Sequence, residues 1–209
     1  MPRHRHRKGY VCLVVAGGYE EAGDSGRFQV RAGGVVFHGP FDAHLDRFLP
    51  TGADTINFEL DGWSEHEVDF GHVPDPDLIA RIAERDTNEA RALLLKMTTP
   101  VERKADDWPD ELATRIRRNA DLSLSMWAET HRLAAGTLSR GFRKLYGLSP
   151  KAFRAQMRAR NAWREIVDSR KPLSAIASEG GFSDQAHMTR ALRALTGHTP
   201  AQWRLPHVK

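Results

Sequence analysis

Over the first 70 residues, short apolar and β-branched runs alternate with glycine-rich turns, the pattern of a small sheet or part of a barrel. The runs fall at 10–15, 28–30, 35–38 and 55–60. Turn signals separate them at Gly17-Gly18, Asp24-Ser25-Gly26, Gly33-Gly34, Gly39-Pro40 and Thr51-Gly52. The period then changes. Leu78, Ile79, Ile82, Ala83, Ala90, Leu93, Leu94 and Met97 recur at helical spacing, so 74–98 is expected to be helical. Thr99-Pro100 predicts a stop. Asp106-Asp107-Trp108-Pro109 predicts a fresh start with Pro in the first turn, and Leu112, Ala113 and Ile116 form the apolar stripe. Everything beyond reads as helix, broken at Gly147, Pro150, Pro172, Gly180-Gly181 and Pro200.

The helical part repeats itself. Residues 137–154 laid over 187–204, an offset of 50, give identity at six of 18 positions. These are Arg140/Arg190, Arg143/Arg193, Leu145/Leu195, Gly147/Gly197, Pro150/Pro200 and Arg154/Arg204. A match of this kind marks two copies of one supersecondary unit. Each copy reads as a short helix (124–130; 173–179), a turn, and a longer helix (134–146; 184–196). Gly147 and Gly197 suit a left-handed C-terminal cap. Ser149-Pro150 and Thr199-Pro200 then supply an N-cap with Pro at the first helical position. A further helix, 150–168, joins the copies. At about 1.5 Å per residue it spans under about 30 Å, comparable with one turn of DNA at about 34 Å.

Periodicity assigns Leu138, Phe142 and Leu145 to the inner face of one long helix, and Met188, Leu192 and Leu195 to that of the other. Thr137, Ser139, Arg140, Arg143 and Lys144 are left outside on the first. Gln185, His187, Thr189, Arg190 and Arg193 are left outside on the second. These side chains hydrogen-bond base edges or phosphates. A solvated basic face is the alternative for one helix, and duplication at a fixed offset argues against it.

Charge sharpens this picture. The chain has 209 residues and a formal net charge of +4. Of 31 Lys and Arg, 13 lie in 133–204, against 4 of 27 Asp and Glu, so that stretch carries +9 and the remainder −5. The only cysteine, Cys12, sits in an apolar run; it excludes an internal disulfide and reads as core. The basic start followed by 10–15 lacks a signal-peptide cleavage pattern, and no stretch approaches the length of a membrane span, so the reading is cytoplasmic, with no membrane partner.

Ser174-Ala-Ile-Ala177, Gly181-Phe-Ser-Asp-Gln-Ala-His-Met-Thr-Arg190 and Gly197-His-Thr-Pro-Ala-Gln-Trp-Arg204, with a matching unit 50 residues upstream, resemble the AraC/XylS family of bacterial transcription regulators. The resemblance spans about 109–206. It implies two helix-turn-helix subdomains joined by a helix, the second helix of each reading the major groove. It makes Gly136 (through its backbone), Ser139 and Arg140 base-edge candidates in the first unit, and Gln185, Ala186, His187 and Arg190 in the second. Arg143, Lys144 and Arg193 become phosphate contacts. The first unit departs from the pattern: His131 stands where a turn Gly is common, and Ala134 where a capping Ser or Asp is expected. Its reading helix also carries Gly136 and Gly141, each costing up to about 1 kcal/mol of helix propensity.

Members of that family often carry a cupin-like effector barrel before the reader. His4-Arg-His6 resembles the start of the first cupin motif; Gly34-Val-Val-Phe-His-Gly-Pro40 followed by His44 resembles the second. The resemblance makes His4, His6 and His44 candidate ligands for one divalent metal ion, imidazoles suiting Zn, Fe, Ni or Cu. Lys8 stands near the expected carboxylate ligand, and Glu20 and Glu21 come late for it. A metal-free barrel or dimerisation sheet is the alternative, with 74–98 either packed on its own sheet or dimerising.

The expected fold is α+β: a short cupin-like β segment (1–72), a helical linker region (73–105) and an all-α double helix-turn-helix domain (106–209). The expected function is that of a sequence-specific, non-enzymatic transcription regulator on double-stranded promoter DNA. A small-molecule effector, RNA polymerase (for an activator) and a homodimer are the further candidate partners. The competing classes are a small metal-dependent cupin enzyme with a DNA-binding appendage, and an adaptor for an acidic protein.

Overall fold

The computed structural model describes residues 1–60, 68–102 and 107–205. The chain divides into two compact units, Met1–Ala105 and Asp106–Lys209. The Asp106 start and the last four residues of the expected reader domain, 206–209, lie outside the described residues.

Seven strands among the described residues of the first unit form one antiparallel sheet: β1 (His4–Arg5), β2 (Tyr10–Gly23), β3 (Arg27–Arg31), β4 (Gly34–His38), β5 (Ala43–Glu59), β6 (Phe70–His72) and β7 (Thr99–Pro100). Their order is β1-β5-β2-β4-β6-β7, with β3 also on β2. β2 and β5 are far longer than their apolar runs suggest. They pair from Tyr10↔Glu59 to Gly23↔His44, with register shifts at Val14/Ala16 and Gly17/Tyr19. Such irregularities bend and twist a long strand, so β2 pairs β4 through Tyr10–Leu13 and β3 through Gly18–Ala22. Thr99-Pro100 does end a helix, but it then adds β7 beside β6. Proline lacks the N–H an inner strand would need, and β7 lies at the end of the sheet order.

The expected helix over 74–98 is two helices, α1 (Pro76–Ala83) and α2 (Thr87–Met97). The break is at Asp86, whose side chain caps α2 by accepting from the Asn88 and Glu89 amides. Ile79, Ala90 and Leu94 are buried in one cluster with Val11, Leu13, Val35, Phe37 and Phe58. Both helices therefore use their apolar faces on the chain's own sheet.

The second unit contains α3 (Trp108–Arg118), α4 (Leu124–Thr130), α5 (Ala135–Tyr146), α6 (Pro150–Asp168), α7 (Leu173–Glu179), α8 (Gln185–Thr196) and the short α9 (Pro200–Trp203). α6 is the spine. Its Phe153 meets Phe142 and Tyr146 of α5 edge-on, and its Trp163 meets Trp203 of α9 edge-on. The repeat is repeated geometry. Gly147 and Gly197 take φ of 78° and 82° as C-caps, where a side chain would be strained. Ser149 and Thr199 cap the following helices through Ala152 N and Gln202 N. The Arg154 guanidinium donates to the Leu122 carbonyl ahead of α4, and Arg204 donates to the Lys171 carbonyl ahead of α7. This identity in the repeat therefore ties each unit to its own entry loop.

One inward residue differs from expectation. Leu145 is only partly buried, whereas Tyr146 is fully buried, stacked on Phe142 at 4.6 Å and donating to Asp110 Oδ1 at 2.7 Å. A pattern of apolar types understates Tyr because its hydroxyl needs a partner, and that partner comes from α3.

Gly141 also has a tertiary reason. A Cβ there would lie 2.5 Å from Trp108 Cζ2, and that ring also packs against Trp127 at 6.0 Å. Gly→Ala in a helix ordinarily gains up to about 1 kcal/mol. Gly141→Ala is expected instead to destabilise the unit by about 1–3 kcal/mol through overpacking. Gly136→Ala meets only the mobile Arg140 guanidinium, with Nη1 at 3.1 Å, and is expected to gain about 0.5–1 kcal/mol. Thermal melts of the two variants should move in opposite directions; a stabilised Gly141→Ala would show that the indole does not hold that close approach.

Candidate nucleic-acid interface and histidine cluster

α5 and α8 each bury one stripe and expose the other. Leu138 and Phe142, and Met188, Leu192 and Leu195, are buried. Thr137, Arg140, Arg143 and Lys144 are exposed on α5, and Gln185, Ala186, His187, Arg190 and Arg193 on α8; Ser139 and Thr189 are half-buried. Gly136 is exposed in the first turn of α5. Every sequence-derived contact residue therefore lies on one of the two long helices, none in the core.

Their local bonding differs. Thr189 Oγ1 donates to the Gln185 carbonyl at 2.9 Å, which commits its proton to its own helix. His187 Nδ1 lies 3.2 Å from Ser183 Oγ, so one edge of that ring is held against the turn. Arg143, Lys144 and Arg193 stand in the last turns of their helices, where they also oppose the negative end of the helix dipole.

The turns before the two helices are not equal. Before α8, Gly181 takes the left-handed conformation at φ 69°, and Asp184 caps the helix by accepting from His187 N at 2.6 Å. That hydrogen bond holds the Asp184 carboxyl below the usual carboxylate range. Before α5, the left-handed residue is Arg132 at φ 54°, not His131, and Ala134 gives no side-chain cap. The two turns still share a device: the Leu133 amide donates to the Ala128 carbonyl, and the Phe182 amide to the Ala177 carbonyl. The His131 ring stacks on Trp127 at 3.7 Å and its Nδ1 bonds the Trp127 carbonyl. The first turn thus supports a side chain where the pattern has glycine. A non-glycine residue in the left-handed region costs roughly 1 kcal/mol, and a missing cap about as much.

In the sheet unit, strand pairing gathers imidazoles. β1 pairs β5 with His4 opposite His44, and His6 follows β1. The His4 and His6 rings lie 4.3 and 5.4 Å from the His44 ring, and donor atoms of all three fall within 4.8 Å of one another. His4 Nδ1 lies 3.0 Å from the Pro2 carbonyl, while the buried His6 Nε2 has no hydrogen-bond partner. Lys8 turns away to pair with Glu59 in solvent. An open cleft of about 420 Å³ beside the cluster is lined by His6, Arg7, Lys8, Gly9, Tyr10, Asn57 and Glu59.

Beneath this trio lies a second set that the sequence reading passed over. Glu21, too late in the chain to match the motif, is fully buried on β2. Its Oε2 lies 3.5 Å from His38 Nε2 and 3.4 Å from His44 Nδ1. Asp46 accepts from His44 Nδ1 at 2.9 Å, and Tyr10 Oη lies 3.1 Å from His44 Nε2. Burial pushes the His38 ring down to about 4, with Glu21 opposing the shift. Burial also works against a charged His44, but the bond to Asp46 and the negative charge of the nearby Glu21 outweigh it and raise that ring to about 9. The available signal was a carboxylate on the buried side of a strand, Glu21 two residues after Tyr19. Glu20 points outward, pairing Arg47 at 2.6 Å. Cys12 is core: burial raises its thiol to about 12.

Comparison with known proteins bears on the helical unit. A family model described as a helix-turn-helix domain matches residues 127–205. The virulence regulon transcriptional activator VirF of Yersinia enterocolitica and the thermoregulatory protein LcrF of Yersinia pestis are each 32% identical over 85 residues, which is 41% of this chain and 31% of theirs. The chain thus matches about a third of the length of these relatives. Wild-type ToxT of Vibrio cholerae, solved with unsaturated fatty acid bound, is similar over 99% of this chain and 92% of that one, with 10% identity and a TM-score of 0.46.

Proposed function

We propose that this chain, whose residues 127–205 form an AraC-type helix-turn-helix domain, is a transcription regulator that reads promoter DNA with α5 and α8. The observation that carries this reading is the duplicated geometry: two basic helices of equal length, each ended by a left-handed glycine, with most of its contact residues exposed and its apolar stripe docked on one spine. Arg143, Lys144 and Arg193 contact phosphates and set affinity. Ser139, Arg140, Gln185, Ala186, His187 and Arg190, with the Gly136 backbone, face base edges and set specificity. Thr137 and Thr189 flank them. Two readers in one chain make a homodimer unnecessary for two adjacent contacts. The sheet unit supplies the place for an effector, and activation would add RNA polymerase as a partner.

Selection of genomic fragments by the purified chain at about 150 mM salt tests this. A few intergenic fragments should be enriched, and Arg190→Ala should weaken binding to them by about 1–3 kcal/mol and relax the preference at one base pair. Arg140→Ala should cost less, because α5 begins without a side-chain cap and behind a strained turn. Equal losses would sink the asymmetry, and no enrichment at all would sink the regulator reading.

A further inference from the structure

Glu21, His38 and His44 stand on neighbouring strands, since β2 lies between β4 and β5, and their donor atoms all fall within 4.8 Å of one another. All three are nearly inaccessible, at 0%, 2% and 5% exposed. Both Glu21 carboxylate oxygens and both His38 ring nitrogens are buried without a hydrogen-bond partner. A buried carboxylate is costly unless a positive or hydrogen-bonding group meets it closely. The two nitrogens facing Glu21 Oε2, at 3.5 and 3.4 Å, are too distant for charge-assisted bonds of about 2.7–2.9 Å.

Those separations fit a different arrangement. Ligand atoms about 2.0–2.1 Å from a tetrahedral ion are about 3.3–3.4 Å apart. An octahedral ion at the same distance would hold adjacent ligands about 3.0 Å apart. The charges agree with a cation: Asp46 is opposite Glu21 in the β2–β5 register and is itself buried, and like charges in that position repel. The backbone agrees as well. Gly23 is opposite His44, and a Cβ at Gly23 would lie 2.8 Å from the His44 Cβ, so the glycine lets the strand that carries His44 approach closely. With His44 ligating through Nδ1, the ion takes the place of the proton that Nδ1 otherwise shares with Asp46 at 2.9 Å, and Nε2–H is left to donate to Tyr10 Oη at 3.1 Å, the outer-shell contact that orients a ligand histidine.

We propose that Glu21 Oε2, His38 Nε2 and His44 Nδ1 hold one divalent transition-metal ion of the Zn²⁺ type inside the sheet, with a fourth position left for water or an effector atom. Two imidazoles and a carboxylate are donors of the right character. The site shares only His44 with the His4–His6–His44 trio. That trio lacks an anionic ligand and has His4 Nδ1 beside a carbonyl. The proposal is independent of the DNA-reading assignment.

The test uses the full chain, stripped with chelator and titrated with Co²⁺ and Zn²⁺. Expected are about one equivalent of either ion, visible Co²⁺ bands of four-coordinate intensity, and a higher melting temperature with Zn²⁺. A double variant, His4→Ala with His6→Ala, should keep the equivalent. Glu21→Gln and His38→Ala should each weaken binding by about 100-fold or more. If these buried replacements fail to fold, X-ray absorption of the Zn²⁺-loaded wild-type chain decides instead, with two imidazoles expected in the shell. Three imidazoles, loss of the ion in the His4/His6 variant, or no uptake by the wild-type chain each overturn the proposal.

Discussion

Phe142→Ala is expected to destabilise the helical unit by about 3–5 kcal/mol, the range for an aromatic ring removed from a core. Phe142 is fully buried, stacks on Tyr146 at 4.6 Å and 15°, and meets Phe153 edge-on at 5.4 Å. It is therefore the ring between α5 and the spine α6. The site has little freedom to collapse, because Tyr146 is held by its bond to Asp110 and Phe153 follows the Pro150 helix start by three residues. For a domain of about 100 residues each kcal/mol moves Tm by about 4–8 °C, so the melting transition should fall by more than about 12 °C. Phe142→Leu should recover about half of that. Calorimetry on the full chain reads both. A loss below about 1 kcal/mol would mean that α5 is not held by this cluster.

The second large effect concerns ionic strength. If Arg140, Arg143, Lys144, Arg190 and Arg193 all displace counterions from DNA, log K should fall against log salt with a slope of about −4.5, or roughly 500-fold between about 50 and 200 mM. These side chains lie on exposed faces, where salt competes directly. Single changes should separate the roles. Arg143→Ala should flatten the slope by about 1 and weaken all sequences alike, whereas Arg190→Ala should also alter which base is preferred. A titration of bound DNA against salt measures the slope. A flat response would remove the electrostatic basis of the DNA-reading assignment.

Much of the helical unit was legible in its sequence because the relevant physics is local. The left-handed caps at Gly147 and Gly197, the Ser149-Pro150 and Thr199-Pro200 starts, and the exposed and buried stripes of α5 and α8 depend on neighbours within four residues. The fifty-residue repeat then turned two weak local signals into one strong one. Where a distant group takes part, that legibility failed. Tyr146 rather than Leu145 completes the core because Asp110, 36 residues away, accepts its hydroxyl proton. Gly141 looked like a weakness in the reading helix until Trp108 was found against it. Arg132 carries the left-handed turn, although His131 aligned with the expected glycine.

In the sheet, the short apolar runs located the strands but not their lengths, since β2 and β5 continue through polar residues paired across bulges. The sequence by itself determined the order of elements in the helical unit, its duplication and the faces that α5 and α8 leave outward, all set by periodicity and caps. Only the tertiary structure decided that Glu21 and His38 share a buried space with His44. Residues on three strands meet through register, and register belongs to the pairing of strands, not to any one of them.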